Sequence, residues 1–247
     1  MLRKPQSRGG SAYIHETLHA GRLVQVRALR NKFVLFPSPR YLFLAGGIGI
    51  TPILPMISAA ATAGCDWELH YGGRNRRSMA FQQWLDQIDS DRVAVYPQDE
   101  VGLLDVDRIL GTPRPDTLVY CCGPEPLMQA VEERCSAWPT GVLHLERFAP
   151  KEESALPRRE AFQVELALSD VKLTVPPDAS VLEAIESAGV SVLSSCREGM
   201  CGTCETKVLE GDVDHRDSLL TAAEQATNET MLICVSRAAG HRIVLEL

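Results

Sequence analysis

Three cysteines crowd eleven residues of this chain, in SSCREGMCGTC at 194–204. Cys196, Cys201 and Cys204 are spaced C-x4-C-x2-C, and Cys234 follows in MLICVSRA. That is the plant-type spacing for a [2Fe–2S] cluster. Four thiolates, two ferric ions and bridging sulfides carry excess negative charge, so backbone N–H groups must point at the sulfurs. Gly199 and Gly202 let the backbone approach and take φ > 0. A structural zinc site usually pairs two short cysteine knuckles. Three ligands in one loop with a lone fourth favour the iron–sulfur reading. Cys65 and Cys135 lack any such pattern and read as ordinary buried residues.

A second chemistry is suggested by LFLAGGIGITP, which sets Gly46, Gly47 and Gly49 directly after an apolar run. Glycines let a diphosphate approach the backbone, and a helix N-terminus offers unpaired N–H groups and a positive dipole. Thr51 is expected to cap that helix and Pro52 to lie in its first turn. The G-x-G-x-x-G fingerprint is incomplete, because Pro52 stands at the third glycine. Alone, the motif fits a plain strand–helix turn equally well. HYGGRNRR supplies Arg74 where a cofactor's adenosine ribose or phosphate would lie, while Arg76 and Arg77 read as a solvated face. VYCCGPEPLM puts Cys122, Gly123 and Pro124 at the carboxyl edge of a sheet, where open α/β sheets bind ligands.

The elements that must position these groups follow from apolar periodicity. Strands are expected at 41–45, 67–71, 93–96, 118–121 and 142–145, with helices at 52–63, 79–88, 105–110 and 126–137 between them. This alternation predicts an α/β nucleotide-binding domain with a parallel sheet and helices on both faces, over 37–149. Upstream, GRLVQVRAL and KFVLF read as strands, making 1–36 the remnant of a β domain. Residues 150–161, rich in Pro, Glu and Arg, read as a linker. Over 162–247, FQVELALSDVKLTVPP gives two strands turning at Ser169–Asp170. Ser180 and Glu183 form a capping box on a helix ending at Gly189. TKVLEG, MLICVS and RIVLEL add strands. The prediction is an α+β, β-grasp ferredoxin domain.

The net charge of −7 argues against a nucleic-acid binder. The polar start, MLRKPQSRGG, lacks a signal-peptide core. The longest apolar stretch, YLFLAGGIGITPILPMISAAATAG, is broken by glycines and prolines, so a strand, turn and helix are expected rather than a membrane span. A cytoplasmic location with reduced thiols follows. HETLH at 15–19 matches H-E-x-x-H, but Gly21 would end any helix there and no third ligand is near. The plain expectation is one helical turn with Glu16 in its first turn.

Taken in order, SRGGSAYIHE, GGIGITP, CGPEPLM, HLERF and SCREGMCGTC resemble the phthalate dioxygenase reductase family, which includes the vanillate demethylase reductases. The resemblance implies a flavin-binding barrel holding FMN, an NADH-binding domain and a C-terminal ferredoxin domain. It implies electron transfer from NADH to the oxygenase component of a Rieske-type aromatic-ring oxygenase or demethylase system. By similarity, Gly47, Gly49 and Thr51 would lie against the diphosphate and nicotinamide, with Cys122 and Thr51 beside the reacting ring. Gly10 and Ser11 resemble a contact to the flavin phosphate, and Phe148 the aromatic residue beside the flavin. The family's R-x-Y-[S/T] flavin motif is absent from residues 1–40, so most of the barrel is expected to be lacking here. Two readings stay open: an NADH-dependent reductase, or a truncated one-electron carrier without NADH turnover.

Overall fold

The structure is a computed structural model, and it describes residues 10–26, 31–88, 90–149 and 160–247. The described residues fall into two compact units, divided between Asn31 and Lys32.

In the first unit, helix α1 spans Gly10–Glu16. Glu16 closes this helix rather than opening it, and His19 lies beyond its end. The two histidines of HETLH therefore do not share a helical face, and the metalloprotease pattern has no structural support. Gly21, at φ 89, turns the chain away. Of the strand expected over 21–29, residues 21–26 form none, and 27–30 lie outside the described residues. Leu23, Val24 and Val26 are exposed, and without a partner ladder a β-rich sequence does not make a strand.

The second unit begins with a parallel sheet. Its strands are β1 (Arg40–Gly46), β2 (Asp66–Gly73), β3 (Val93–Pro97), β4 (Thr117–Cys122) and β5 (Leu143–Glu146). The order is β3-β2-β1-β4-β5. The helices are α2 (Ile50–Thr62), α3 (Gln82–Leu85), α4 (Gln98–Val101), α5 (Val106–Leu110) and α6 (Glu125–Cys135). One face of β1 buries Phe43 and Ala45 with Ile50, Ile53 and Ile57 of α2. The other buries Leu42 and Leu44 with Ile109, Met128 and Val131 of α5 and α6. A strand apolar from Tyr41 to Ala45 needs cover on both faces, which is what helices on both sides provide.

Three local expectations are corrected. KFVLF, 32–36, is not a strand. The Tyr120 hydroxyl accepts from the Phe36 N–H at 2.8 Å and donates to the Val34 carbonyl at 3.0 Å, and Phe33 packs into the sheet core. The helix over 79–88 shrinks to α3, because Phe81 before it is left-handed, at φ 62. Thr51 does not cap α2: it lies within the first turn, and its hydroxyl donates to the Ile48 carbonyl at 2.9 Å.

The second sheet runs β10-β8-β12-β6-β7. Its members are β6 (Phe162–Leu166), β7 (Val171–Val175), β8 (Glu205–Glu210), β10 (Thr230–Leu232) and β12 (Arg242–Leu245). A small ladder pairs β9 (Val213–Asp214) with β11 (Arg237–Ala238). Helix α7 (Val181–Ser187) carries both capping-box bonds between Ser180 and Glu183, and α8 (Ala222–Thr227) carries the equivalent pair from Thr221 and Glu224. Each such cap is worth about 1 kcal/mol. The expected strand MLICVS stops at Leu232, which leaves Cys234 in a turn.

Arg237 closes the base of this part. It donates to the carbonyls of Ala179, Glu160 and Pro176 at 2.6, 3.1 and 3.0 Å, and its guanidinium lies over the Phe162 ring. No described helix is long and apolar enough to cross a membrane.

Candidate functional site

In the parallel sheet, β2 and β3 lie to one side of β1 while β4 and β5 lie to the other, so the strand order reverses between β1 and β4. Open α/β sheets form their ligand crevice outside the carboxyl ends of the strands at such a point. Gly46, Gly47, Gly49 and Thr51 follow β1 there, and Cys122, Gly123 and Pro124 end β4 beside them, with Ala45 paired to Cys122. The two motifs interlock through missing side chains. A Cβ on Gly46 would meet Pro124 Cδ at 2.5 Å, and one on Gly123 would meet Gly46 Cα at 3.0 Å. Gly47 differs: it sits at φ 54, and nothing occupies the space beside it within 4 Å. Helix α2 starts beyond it with no side-chain cap. A 3-10 turn over Gly47–Gly49 leads straight into it, and the Ile50 N–H already donates to the Gly47 carbonyl, so the positive end of this helical run lies at Gly47. The open space beside Gly47, at the positive end of this run, fits a dinucleotide diphosphate.

The same edge collects Arg74 just after β2, exposed, and Phe148 two residues after β5, 39 % exposed. Gly10 and Ser11 belong to the other unit and begin α1.

Cys122 is buried, and burial together with the Glu146 charge pushes its thiol up to about 12. It is thus a neutral thiol enclosed among the core side chains around Phe43 and Ile50, and not a nucleophile. Cys135 is likewise pushed up, to about 11, by burial, whereas Cys65 is only half-buried.

In the second sheet the cysteine loop hangs between α7 and β8. The N–H groups of Glu198 and Met200 donate to Cys196 Sγ, and that of Cys196 to Cys201 Sγ, each at 3.4 Å. Burial works against ionising Cys201, but the Thr203 hydroxyl and the Cys196 N–H outweigh it and bring the thiol down to about 7. Cys204 is lowered by a hydrogen bond from the Cys234 thiol, and Cys234 is correspondingly raised. Gly199 and Gly202 both take φ > 0, at 68 and 67. A Cβ on Gly199 would strike Val235 Cγ2 at 2.7 Å.

Donors aimed at sulfur, with ionisation favoured inside a half-buried loop, fit an anionic metal–sulfur group. Among the described residues no three His, Cys, Asp or Glu side chains converge as donors to a single ion. A two-iron cluster asks for no such point, since each iron takes two of the four cysteines.

Two supports were not read from the sequence. Asp217, with its side chain fully buried, accepts from the N–H groups of Leu219 and Leu220 at 3.1 and 2.7 Å and packs behind Gly199. Ser218 donates to the Gly199 carbonyl at 3.0 Å. An Asp bonding the backbone two and three residues on is a turn signal that HRDSLL does carry. Arg147, nearly buried, ties the end of β5 to α6 through Glu125 at 3.2 Å and Glu132 at 2.5 Å. Beside it Glu146, opposite Cys122 in the ladder, is raised by burial. Only the fold shows that this ER pair faces the CGP turn.

The comparisons agree with this division. Residues 43–133 match the family model described as the oxidoreductase NAD-binding domain, and residues 164–239 match the 2Fe-2S iron-sulfur cluster binding domain. The carnitine monooxygenase reductase subunit of Escherichia coli (strain K12) is 40 % identical over 246 residues, which is 98 % of this chain and 75 % of that protein. The crystal structure of phthalate dioxygenase reductase aligns with 99 % of this chain and 77 % of its own, with TM-score 0.66 and 33 % identity. An intact type IV self-sufficient cytochrome P450 monooxygenase aligns with the whole of this chain at TM-score 0.90 and 44 % identity. This chain spans about a third of that larger one, 32 %.

Proposed function

We propose, for a chain that belongs to the phthalate dioxygenase reductase family, that the carboxyl edge of the parallel sheet binds NADH and that Cys196, Cys201, Cys204 and Cys234 hold one [2Fe–2S] cluster. The chain is an NAD-dependent iron–sulfur oxidoreductase, and single electrons leave it for an oxygenase. The observation that carries the reading is the set of N–H groups from Cys196, Glu198 and Met200 directed at loop sulfurs.

In this reading Gly47 and the α2 N-terminus bind the diphosphate, Arg74 meets the adenosine end, and Cys122 and Thr51 border the nicotinamide. Arg147 holds the CGP turn against β5, so Cys122 keeps its place. FMN, with Phe148 beside it, completes the system by family similarity; Gly10 and Ser11, in the other unit, resemble the family's contact to a flavin phosphate. A bound flavin accepts a hydride as an electron pair and releases electrons singly, linking nicotinamide to a one-electron centre.

The partner is proposed to be the oxygenase component of a Rieske-type system. The alignment with the P450 monooxygenase favours a second reading, in which the electron acceptor is a haem oxygenase.

The test is anaerobic purification, iron and sulfide assay, and electron-spin spectroscopy after dithionite, followed by NADH-driven reduction of cytochrome c with and without added FMN. About two irons per chain and flavin-dependent turnover are expected. A cluster spectrum without NADH oxidation at saturating FMN would establish the one-electron carrier instead.

A further inference from the structure

Past the outer end of the same edge, Arg76 and Glu100 form an ion pair between the segments that follow β2 and β3. Arg76 Nε lies 3.0 Å from both carboxylate oxygens of Glu100, and the side chains are 55 and 45 % exposed. The pair does not hold its own segments together. Asn75 caps the turn Arg76–Ser78 by accepting the Ser78 N–H at 3.0 Å, and the Arg74 carbonyl accepts the Asp99 N–H at 3.3 Å. Among the described residues no carboxylate is paired with Arg74 or Arg77.

In dinucleotide-binding sheets an acidic residue near this place hydrogen-bonds the ribose 2′-hydroxyl, whereas an arginine accommodates a 2′-phosphate. This chain has both, and they neutralise each other. A 2′-phosphate, with a charge of about −1.5 to −2, would have to displace Glu100 from Arg76 and then remain beside it. A 2′-hydroxyl displaces nothing and can donate to Glu100.

We propose that Glu100 selects NADH over NADPH by occupying Arg76, and that Arg74, Arg76 and Arg77 form a phosphate site held closed by this one carboxylate. The proposal rests on the reading of this edge as a dinucleotide site.

The test uses 5′-AMP and 2′,5′-ADP, which differ only in the 2′-phosphate, titrated calorimetrically into the full chain at low salt. Exposed ion pairs add little to stability, so Glu100→Gln and the double variant Glu100→Gln/Arg76→Gln should fold as the parent does. The parent is expected to bind 5′-AMP at least as tightly as 2′,5′-ADP. Glu100→Gln is expected to tighten 2′,5′-ADP about tenfold, equivalent to about 1.4 kcal/mol, while 5′-AMP changes by less than about threefold. The gain should vanish in the double variant. Unchanged 2′,5′-ADP binding in Glu100→Gln, or a gain that survives loss of Arg76, overturns the proposal. A parent chain that binds neither fragment nor NADH overturns the nucleotide-site reading itself, and this inference with it.

Discussion

Gly49 and Cys122 lie back to back: a methyl group on Gly49 would collide with the carbonyl of Cys122. The glycine turn after β1 and the CGP turn after β4 therefore share one wall. Gly49→Ala must push α2 away from β4, at a cost of about 1–3 kcal/mol for overpacking. It is expected to weaken 5′-AMP binding more than tenfold. Gly47→Ala meets no atom but must hold a left-handed backbone, costing roughly 1–2 kcal/mol. Calorimetric titration and denaturant unfolding of both variants check this; equal, parent-like affinities would show that the wall does not shape the site.

Cys234 is the ligand separated from the other three, and its removal is the sharpest chemical test. Cys234→Ala is expected to yield chain without the visible charge-transfer bands of an iron–sulfur centre, while Cys65→Ala keeps them. Iron content and absorbance after anaerobic reconstitution decide the matter. A Cys234→Ala protein that retains about two irons and a parent-like spectrum removes Cys234 from the ligand set.

Arg237 satisfies three backbone carbonyls with one side chain. Arg237→Ala removes that donor from all three, although the Pro176 carbonyl keeps the Ala179 N–H, and these part-buried bonds are worth about 0.5–1.5 kcal/mol each. Arg237→Lys cannot span all three and is expected to fall between. The readout is chemical unfolding monitored in the cluster-bearing chain. Parent-like stability in Arg237→Ala would mean that water replaces the guanidinium without loss.

His144 stacks on Tyr120, with ring centroids 4.7 Å apart, and its Nε2 is buried without a hydrogen-bond partner. Burial lowers its pKa. The unfolded chain therefore takes up a proton more readily than the native one, near pH 6.5. Stability attributable to this group is complete above that pH and is lost as the pH falls through it towards the folded value. His144→Phe keeps the ring contact and removes the titration. The variant is expected to gain on the parent below about pH 6.5, with the gap narrowing by pH 8. Melting temperatures across that range test it, and a pH-independent gap would refute the assignment.

What could be read in advance follows from how local each signal is. The cysteine loop is a spacing pattern, and β1 to β5 are apolar runs bounded by turns, so both are legible in the sequence alone. The capping box of Ser180 and Glu183 spans four residues and was equally plain. KFVLF misled because its backbone is satisfied by the Tyr120 hydroxyl, a partner 84 residues away from Phe36. Thr51 misled because α2 begins one residue before it, making its hydroxyl a donor to Ile48 rather than a cap. The bonds from Leu219 and Leu220 to Asp217 are local, but the packing of Asp217 behind Gly199 and the reach of Arg147 to Glu125 and Glu132 join distant stretches, and no short window contains both sides of those contacts.

The amide groups around Cys196 and Cys201 have a kinetic corollary. When a site gains or loses one electron, the surrounding dipoles must readjust, and that readjustment is a barrier. Here the loop is clamped from behind by Asp217 and Ser218 at Gly199, and its dipoles already face the sulfurs. Little is left to move. The speed at which electrons pass through this loop should then be governed by how near the donor and acceptor can come.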